Sequence, residues 1–426
     1  MELKKYKLGD LCTFINGRAY LQPELQNSGK YKIVRVGNLS GGNNSWYYSD
    51  MELEPTKYCA KGDLLYAWAC NFGPYIWKGD KTIYHYHIWK VINSDQIDKM
   101  YLYYLLKFMT NSFMGCVHGS TMLHITKENM ESMEVRIHAS IEEQRRIATI
   151  LNKLDCKIGL NRQINDNLEA MAKQLYDYWF VQFDFPNEEG KPYKSNGGAM
   201  VYNEKLKREI PQGWHCGTLL DIAEYTNGLA CQKYRPTDDN KLPVIKIKEM
   251  HDGLSTDTEW VRADIPDGIK VFDGDVLFSW SASLEVMLWA YGNGGLNQHI
   301  FKVTSKNGYP RSFYFYQLVH YIGVFKQMAE ARKTTMGHIT QDHLRQSTIA
   351  LPPNVNIANK LEEKLCPIFN AIVKNSQEIM SITKQRDELL PLLMNGQASV
   401  NYHLSVNPTT AYLSIRFSQL FYDSSH

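Results

Sequence analysis

Two periodicities alternate along the chain, one of about two residues and one of about three and a half. Lys32-Ile33-Val34-Arg35-Val36 and Val244-Ile245-Lys246-Ile247-Lys248 mix apolar and basic residues at short spacing, which predicts half-buried strands carrying Arg35 and Lys246 at matching places. Gly62-Asp63-Leu64-Leu65-Tyr66-Ala67-Trp68 and Gly274-Asp275-Val276-Leu277-Phe278-Ser279-Trp280 open on a turn and enter an apolar strand that ends on a tryptophan. Ile88–Ile92 and Ile300–Thr304 predict the next strand, and helices are expected around Met100–Phe108 and Arg311–Phe325. From Ile147 the pattern becomes Leu151, Leu154, Ile158, Asn161, Asn165, Leu168, Ala172, Leu175 and Trp179, in steps of four and three. Those steps are the seam of a coiled coil.

The same order of elements occurs twice. Asp10–Ala19 (DLCTFINGRA) recurs 211 residues later as Asp221–Ala230 (DIAEYTNGLA). His87-Ile88-Trp89-Lys90-Val91 recurs as His299-Ile300-Phe301-Lys302-Val303, and His124-Ile125-Thr126 as His338-Ile339-Thr340. A unit this long is a duplicated module and not a solenoid repeat. The helical seam recurs too, through Leu361, Leu365, Ile368, Ile372, Asn375, Ile379, Ile382, Arg386, Leu389 and Leu393. A helix over Ile147–Trp179 would reach about 50 Å at ~1.5 Å per residue, and it overhangs a domain of this size. Two matching seams predict mutual, antiparallel pairing through Leu154, Ile158, Asn161, Ile368, Ile372 and Asn375. A polar Asn in such a seam trades stability for register, which places Asn161 and Asn375 near the crossing.

The fold class expected is therefore α+β, with two tandem globular domains joined by two long helices that pair as an antiparallel coiled coil about a pseudo-two-fold axis. The boundaries expected are a first globular domain over 1–140, a helix over 141–182 and an irregular connector over 183–213. A second globular domain follows over 214–354, then a helix over 355–398 and a tail over 399–426.

Composition narrows the function. Lys and Arg total 47 against 45 Asp and Glu, a net charge of +2, which argues against a histone-like binder and an acidic tail. Eight scattered cysteines form no C-x-x-C pair, no leader-like apolar stretch follows Met1, and no apolar run approaches the ~20 residues that span a bilayer. The expectation is a soluble, reduced, cytoplasmic protein with no metal site. No G-x-x-x-x-G-K-[ST], H-E-x-x-H or G-x-S-x-G motif is present. Asn71-Phe72-Gly73-Pro74-Tyr75 departs from the Asn-Pro-Pro-aromatic motif of amino-methyltransferases. His85 and His87 read as alternating strand-surface residues. A binder without catalytic residues is expected.

The candidate binding residues are basic, amide, hydroxyl and aromatic: Arg18, Arg35, Asn38, Thr121, Lys246, Lys333 and Thr335, with Trp68 and Trp280. Lys and Arg anchor phosphates, Arg, Asn and Thr read base edges, and Trp either stacks on bases or fills a core. The framework pieces match between the units while the stretches between them differ, as Arg18-Ala19-Tyr20-Leu21 differs from Leu229-Ala230-Cys231-Gln232. Two modules with different loops on one scaffold suggest two different ligands or half-sites.

Further runs carry a resemblance. They are Leu8-Gly9-Asp10-Leu11, Asn297-Gln298-His299-Ile300, Gly119–Thr126, Ile141-Glu142-Glu143-Gln144-Arg145-Arg146-Ile147, Tyr178–Phe185 and Ile210-Pro211-Gln212-Gly213-Trp214. With the GDLLYAW and GDVLFSW strands, they make residues 1–398 resemble the specificity (S) subunit of Type I restriction–modification systems. The resemblance implies two target recognition domains that each read half of a bipartite, asymmetric site in double-stranded DNA. It implies helices that set the gap and dock two methyltransferase (M) subunits, and translocating restriction (R) subunits that join them. S-adenosylmethionine, ATP and Mg would then sit on those partners and none on this chain. The sequence departs from an even duplication where Leu229 replaces Arg18 and where Tyr86 faces Gln298. The residues alone leave open a duplicated adaptor module that binds protein or carbohydrate, since aromatic richness suits that too.

Overall fold

The computed structural model describes residues 2–39, 41, 45–115, 125–281, 283–331, 339–402 and 413–417. It divides into two units, residues 1–156 with 383–426, and residues 157–382.

The β-rich parts of the two units share one topology. In the first, an antiparallel sheet runs in the order Cys12–Asn16, Ile88–Asn93, Leu64–Ala67, Gly73–Ile76. In the second, the order is Ala223–Asn227, Ile300–Ser305, Val276–Ser279, Glu285–Leu288. A smaller mixed sheet orders Tyr47–Ser49, Tyr31–Val34, Thr82–Tyr84 and Tyr58–Cys59 in unit one, and Trp260–Arg262, Lys241–Ile245, Gly294–Leu296 and Lys270–Val271 in unit two. Its middle pair is parallel in both. A helix, Lys99–Gly115 or Arg311–Ala331, follows the larger sheet.

The apolar and basic alternation at 32–36 and 244–248 crosses an element boundary, which corrects the strand expected there. The strands end at Val34 and Ile245, and one- to two-turn helices begin at Val36 and Ile247. Arg35 and Lys246 sit at the junctions. Asn38 accepts the Arg35 backbone N–H at 3.0 Å, and Glu249 accepts that of Lys246 at 3.2 Å. Such side-chain acceptors satisfy an N–H that the first turn leaves orphaned, so they stop the strand. Trp68 and Trp280 likewise lie one residue beyond their strands.

The stretch expected as an irregular connector contains a hairpin, Met200–Asn203 with Arg208–Pro211. The Asn203 carboxamide oxygen accepts the backbone N–H groups of Lys205 and Leu206, which closes the turn. Phe185 stacks on Trp214 at 5.4 Å between centroids, so aromatic burial holds the segment in unit two. In the tail, Ala398–Tyr402 pairs with Leu413–Phe417.

Long helices span Ile141–Tyr176 and Asn356–Met394, and the boundary between the units falls inside each. Within unit one, Ile147, Ile150 and Leu151 share a core with Leu390, Leu393 and Met394. Within unit two, Ala172 shares a core with Leu365, Phe369 and Ile372, and Leu168 and Ile368 pack against it. Leu154 is half-buried and Ile158 is buried. Asn161 donates to Glu378 at 2.7 Å, and Asn375 donates to Asn165 at 2.9 Å. Asn165 also donates to the Ile372 carbonyl at 3.2 Å. Asn161 and Asn375 therefore do not meet each other. Each meets a residue of the other helix, and contact numbers fall along one helix as they rise along the other.

The seam of unit one also holds charge. Arg386 donates to Asp155 at 2.7 Å, Tyr104 donates to the same carboxylate at 2.9 Å, and the Lys107 ammonium lies 3.6 Å away. Burial raises the Asp155 pKa, but Lys107 and the Arg386 hydrogen bond outweigh it, and the carboxyl titrates below its usual range. A depressed carboxylate stabilises the fold above its unfolded pKa, and that contribution is lost as pH falls through the folded value. Arg386→Ala takes one of three partners from a half-buried carboxylate, so unit one should lose roughly 1.5–3 kcal/mol in urea unfolding, and Arg386→Lys should recover part of it. An alanine variant as stable as the parent contradicts this role.

Candidate nucleic-acid interface

The two sheets of each unit meet at a short turn, and both turns are held by the same backbone bonds. In unit one, Tyr86 N–H donates to Arg18 O, Arg18 N–H to Tyr84 O, His85 N–H to Val34 O, and Trp68 N–H to His87 O, at 2.9–3.1 Å. In unit two, Gln298 N–H donates to Leu229 O, Leu229 N–H to Leu296 O, Asn297 N–H to Ile245 O, and Trp280 N–H to His299 O, at 2.8–3.2 Å. The turns close internally through Ile88 N–H to His85 O and Ile300 N–H to Asn297 O.

A glycine presses on each turn. A Cβ built on Gly17 would lie 2.3 Å from Tyr84 O and 2.4 Å from His85 O, and one on Gly228 would lie 2.2 Å from Asn297 O. No side chain fits such an approach, so the Asn-Gly pair shared by the two units is a steric requirement of the clamp. His85 and His87, expected on one strand face, instead flank this turn with ring centroids 4.9 Å apart.

The clamped turn gathers several predicted residues of unit one. Arg18 grips Glu24 through both terminal nitrogens, at 2.7 and 3.2 Å, and its guanidinium lies 5.1 Å from the Tyr20 ring centroid. Arg35 donates to Ser45 O at 2.9 Å and lies 4.3 Å from the Tyr47 ring centroid. Asn38 belongs to the short helix that Arg35 precedes. Trp68 Nε1 donates to Tyr86 O at 2.9 Å, with its ring 5.1 Å from His87. Both Trp68 and Trp280 are half-buried, between the core and stacking roles weighed for them.

Unit two places different chemistry on the same frame. Leu229 stands where unit one has Arg18, and Asn297 and Gln298 stand where it has His85 and Tyr86. Lys246 pairs with Glu259 at 2.5 Å, and that hydrogen bond is the main cause that lowers the Glu259 pKa. Trp280 Nε1 donates to Asn227 at 2.9 Å, and Gln298 Nε2 lies 3.3 Å from His299 Nε2. Thr121, Lys333 and Thr335 lie outside the described residues. Among the described residues, no group of three or more His, Cys, Asp or Glu is placed to hold a metal, and no helix is long and apolar enough to cross a membrane.

The sequence places His85 and His87 on a strand and Tyr86 opposite Gln298, but it does not show the turn that holds them. Their signal was present, since the match beginning at His87 and His299 is preceded by two residues that differ.

Burial, then the neighbouring His87 and Arg35, push the His85 pKa down from 6.5 to about 4. The ring is then neutral at pH 7 and offers one donor and one acceptor. Between pH 6.5 and 4 the unfolded chain binds this proton and the folded chain does not, so stability falls as pH drops through that window. An NMR titration should place the His85 midpoint near 4, and Arg35→Ala should raise it. A midpoint near 6.5 in the parent contradicts the burial.

Comparisons with known proteins agree with the duplicated architecture. The family model described as Type I restriction modification DNA specificity domain matches residues 1–170 and again 211–384. The specificity subunit of the Type I restriction enzyme MjaIX from Methanocaldococcus jannaschii is 28% identical over 325 residues, covering 73% of this chain and 71% of that protein. The HindI specificity subunit from Haemophilus influenzae is 24% identical over 473 residues, covering 92% of this chain and 99% of that one. A crystal structure of the S subunit of a Type I restriction–modification system from M. genitalium has a similar fold. Its TM-score is 0.57 at 14% identity, with 92% of this chain and 96% of that chain covered.

Proposed function

The chain belongs to the Type I restriction modification DNA specificity domain family, and from that premise we propose that it selects the DNA sequence for a Type I complex. Each unit reads one half of a bipartite, asymmetric site in double-stranded DNA. One observation carries this reading: the two units hold the same turn with the same backbone bonds but present different side chains. A fixed frame with exchanged polar groups suits two half-sites of different sequence. It suits an adaptor for a protein or carbohydrate less well, because Arg35 and Lys246 border both turns as phosphate anchors do.

The long helices are the pairing elements in this reading. An antiparallel coiled coil with pseudo-two-fold symmetry is supported by the inter-helix contacts within unit two. Adding 214 to Asn165 gives Ile379 and subtracting 214 from Asn375 gives Asn161, so the Asn165–Asn375 contact maps close to the Asn161–Glu378 contact. At ~1.5 Å per residue, the 36 residues of the first long helix reach about 54 Å, more than the ~34 Å of one DNA turn. The helices would set the spacer and dock two methyltransferase subunits, with restriction subunits joining them. S-adenosylmethionine, ATP and Mg are assigned to those partners, and recognition without catalysis to this chain.

Adenine-methylation mapping of cells that express the chain with its methyltransferase partner tests the reading. A split, asymmetric motif is expected, and methylation without such a motif rejects it. Inserting one helical turn into both long helices should lengthen the unread spacer while both half-sites persist. A spacer of unchanged length counts against the ruler role.

A further inference from the structure

The clamped turns share their backbone bonds between the units and differ in their side chains. Six backbone hydrogen bonds recur one for one, from Gly17 N–H to Ile88 O and Gly228 N–H to Ile300 O through to the tryptophan bonds on His87 and His299. The glycine contacts recur as well. Against this constancy, three facing positions change their hydrogen-bonding repertoire. Arg18, His85 and Tyr86 in unit one become Leu229, Asn297 and Gln298 in unit two. Volume and polarity change at these positions, yet the backbone hydrogen bonds beneath them recur.

The turns are also partly open. Tyr86 is 36% exposed, His85, His87, Gln298 and His299 are half-buried, and Asn297 is buried with its side-chain oxygen turned to the His299 N–H, which leaves Gln298 as the accessible amide of the second turn. Each turn donates its first N–H to the strand residue immediately before Arg35 or Lys246, Val34 in unit one and Ile245 in unit two. A fixed cation therefore stands one residue from the turn's support, with a tryptophan clamped on its far side. In unit two, His299 Nδ1 is buried without a hydrogen-bond partner, and its Nε2 faces the Gln298 amide. The amide is thereby oriented before any ligand arrives.

We infer that the turns His85–His87 and Asn297–His299, with Arg18 and Leu229 beside them, are the base-reading elements, and that Gln298 reads an adenine in the half-site of unit two. A carboxamide can accept from adenine N6–H and donate to N7 together, a pair no other base offers in the major groove. Arg35 and Lys246 then hold the backbone phosphate beside each reader. In unit one the neutral His85 imidazole, the Tyr86 hydroxyl and the Arg18 guanidinium offer other pairings, so that half-site differs. This assignment rests on the DNA-specificity reading and deepens it to named residues.

The full chain, co-expressed with its methyltransferase partner, supplies the test by methylation mapping of parent and variants. Gln298→Glu keeps shape and volume but removes the amide donor. It should cut discrimination for adenine at one position of one half-site by roughly 5- to 100-fold, leaving the other half-site intact. His85→Asn with Tyr86→Gln should alter the opposite half-site alone. A parental split motif that both variants retain overturns the turn assignment and leaves the specificity reading standing. A parent with no split motif overturns both. Should the double variant fail to accumulate, the isosteric Gln298→Glu decides the matter on its own.

Discussion

A long amphipathic helix cannot bury its apolar seam alone, and both units depend on meeting that constraint. In unit one the core behind the larger sheet is completed by Ile147 and Leu151 from one helix and Leu390 and Leu393 from the other. In unit two Ala172 comes from the first helix, and Leu361, Leu365 and Phe369 come from the second. Leucine and isoleucine burial of this kind contributes roughly 1.5–3 kcal/mol per side chain. Each larger sheet is therefore tied, through shared apolar contacts, to residues far from it in sequence. The polar seam residues act differently. Asn161 and Asn165 are buried and meet their partners in this register, so a slip would leave them buried and unsatisfied.

The turns follow from the same economy of contacts. Gly17 and Gly228 allow the backbones of two segments to touch, and the tryptophans after the apolar strands lock the other side. With the main chain held at both ends, substitutions on the turn alter chemistry without disturbing packing. That separation lets one scaffold carry two different sets of turn side chains.

Much of this was legible in the sequence because it rests on periodicity. The seam from Ile147 to Trp179 and its copy near Leu361 announced two long helices, and the matched Gly-Asp strands announced a shared sheet. What stayed hidden depended on local capping and steric approach. The alternation through Arg35 and Lys246 continues as smoothly into a capped helix as it would along a strand, and only the Asn38 and Glu249 acceptors end it. His85-Tyr86-His87 has the spacing of a strand, and nothing in those three letters reveals Gly17 pressing on their backbone. Asn161 and Asn375 share a seam position, but their partners are set by the offset between helices, which a single-helix pattern does not contain. The coiled-coil signature likewise hid the charge at Asp155, which the 3-4 spacing treats as a flank.

The division of the chain has a temporal side. Unit two is continuous from residue 157 to 382, whereas unit one joins residues 1–156 to a segment that begins at 383. A ribosome adds roughly 5–20 residues per second. The first unit therefore emerges early and then waits tens of seconds for Leu390 and Leu393 to be made. During that interval Ile147 and Leu151 lack their final neighbours, while the later unit can close around its own helices first. The order of synthesis and the order of completion are thus opposite, and a chain halted before residue 390 would keep a finished second half beside an open first one.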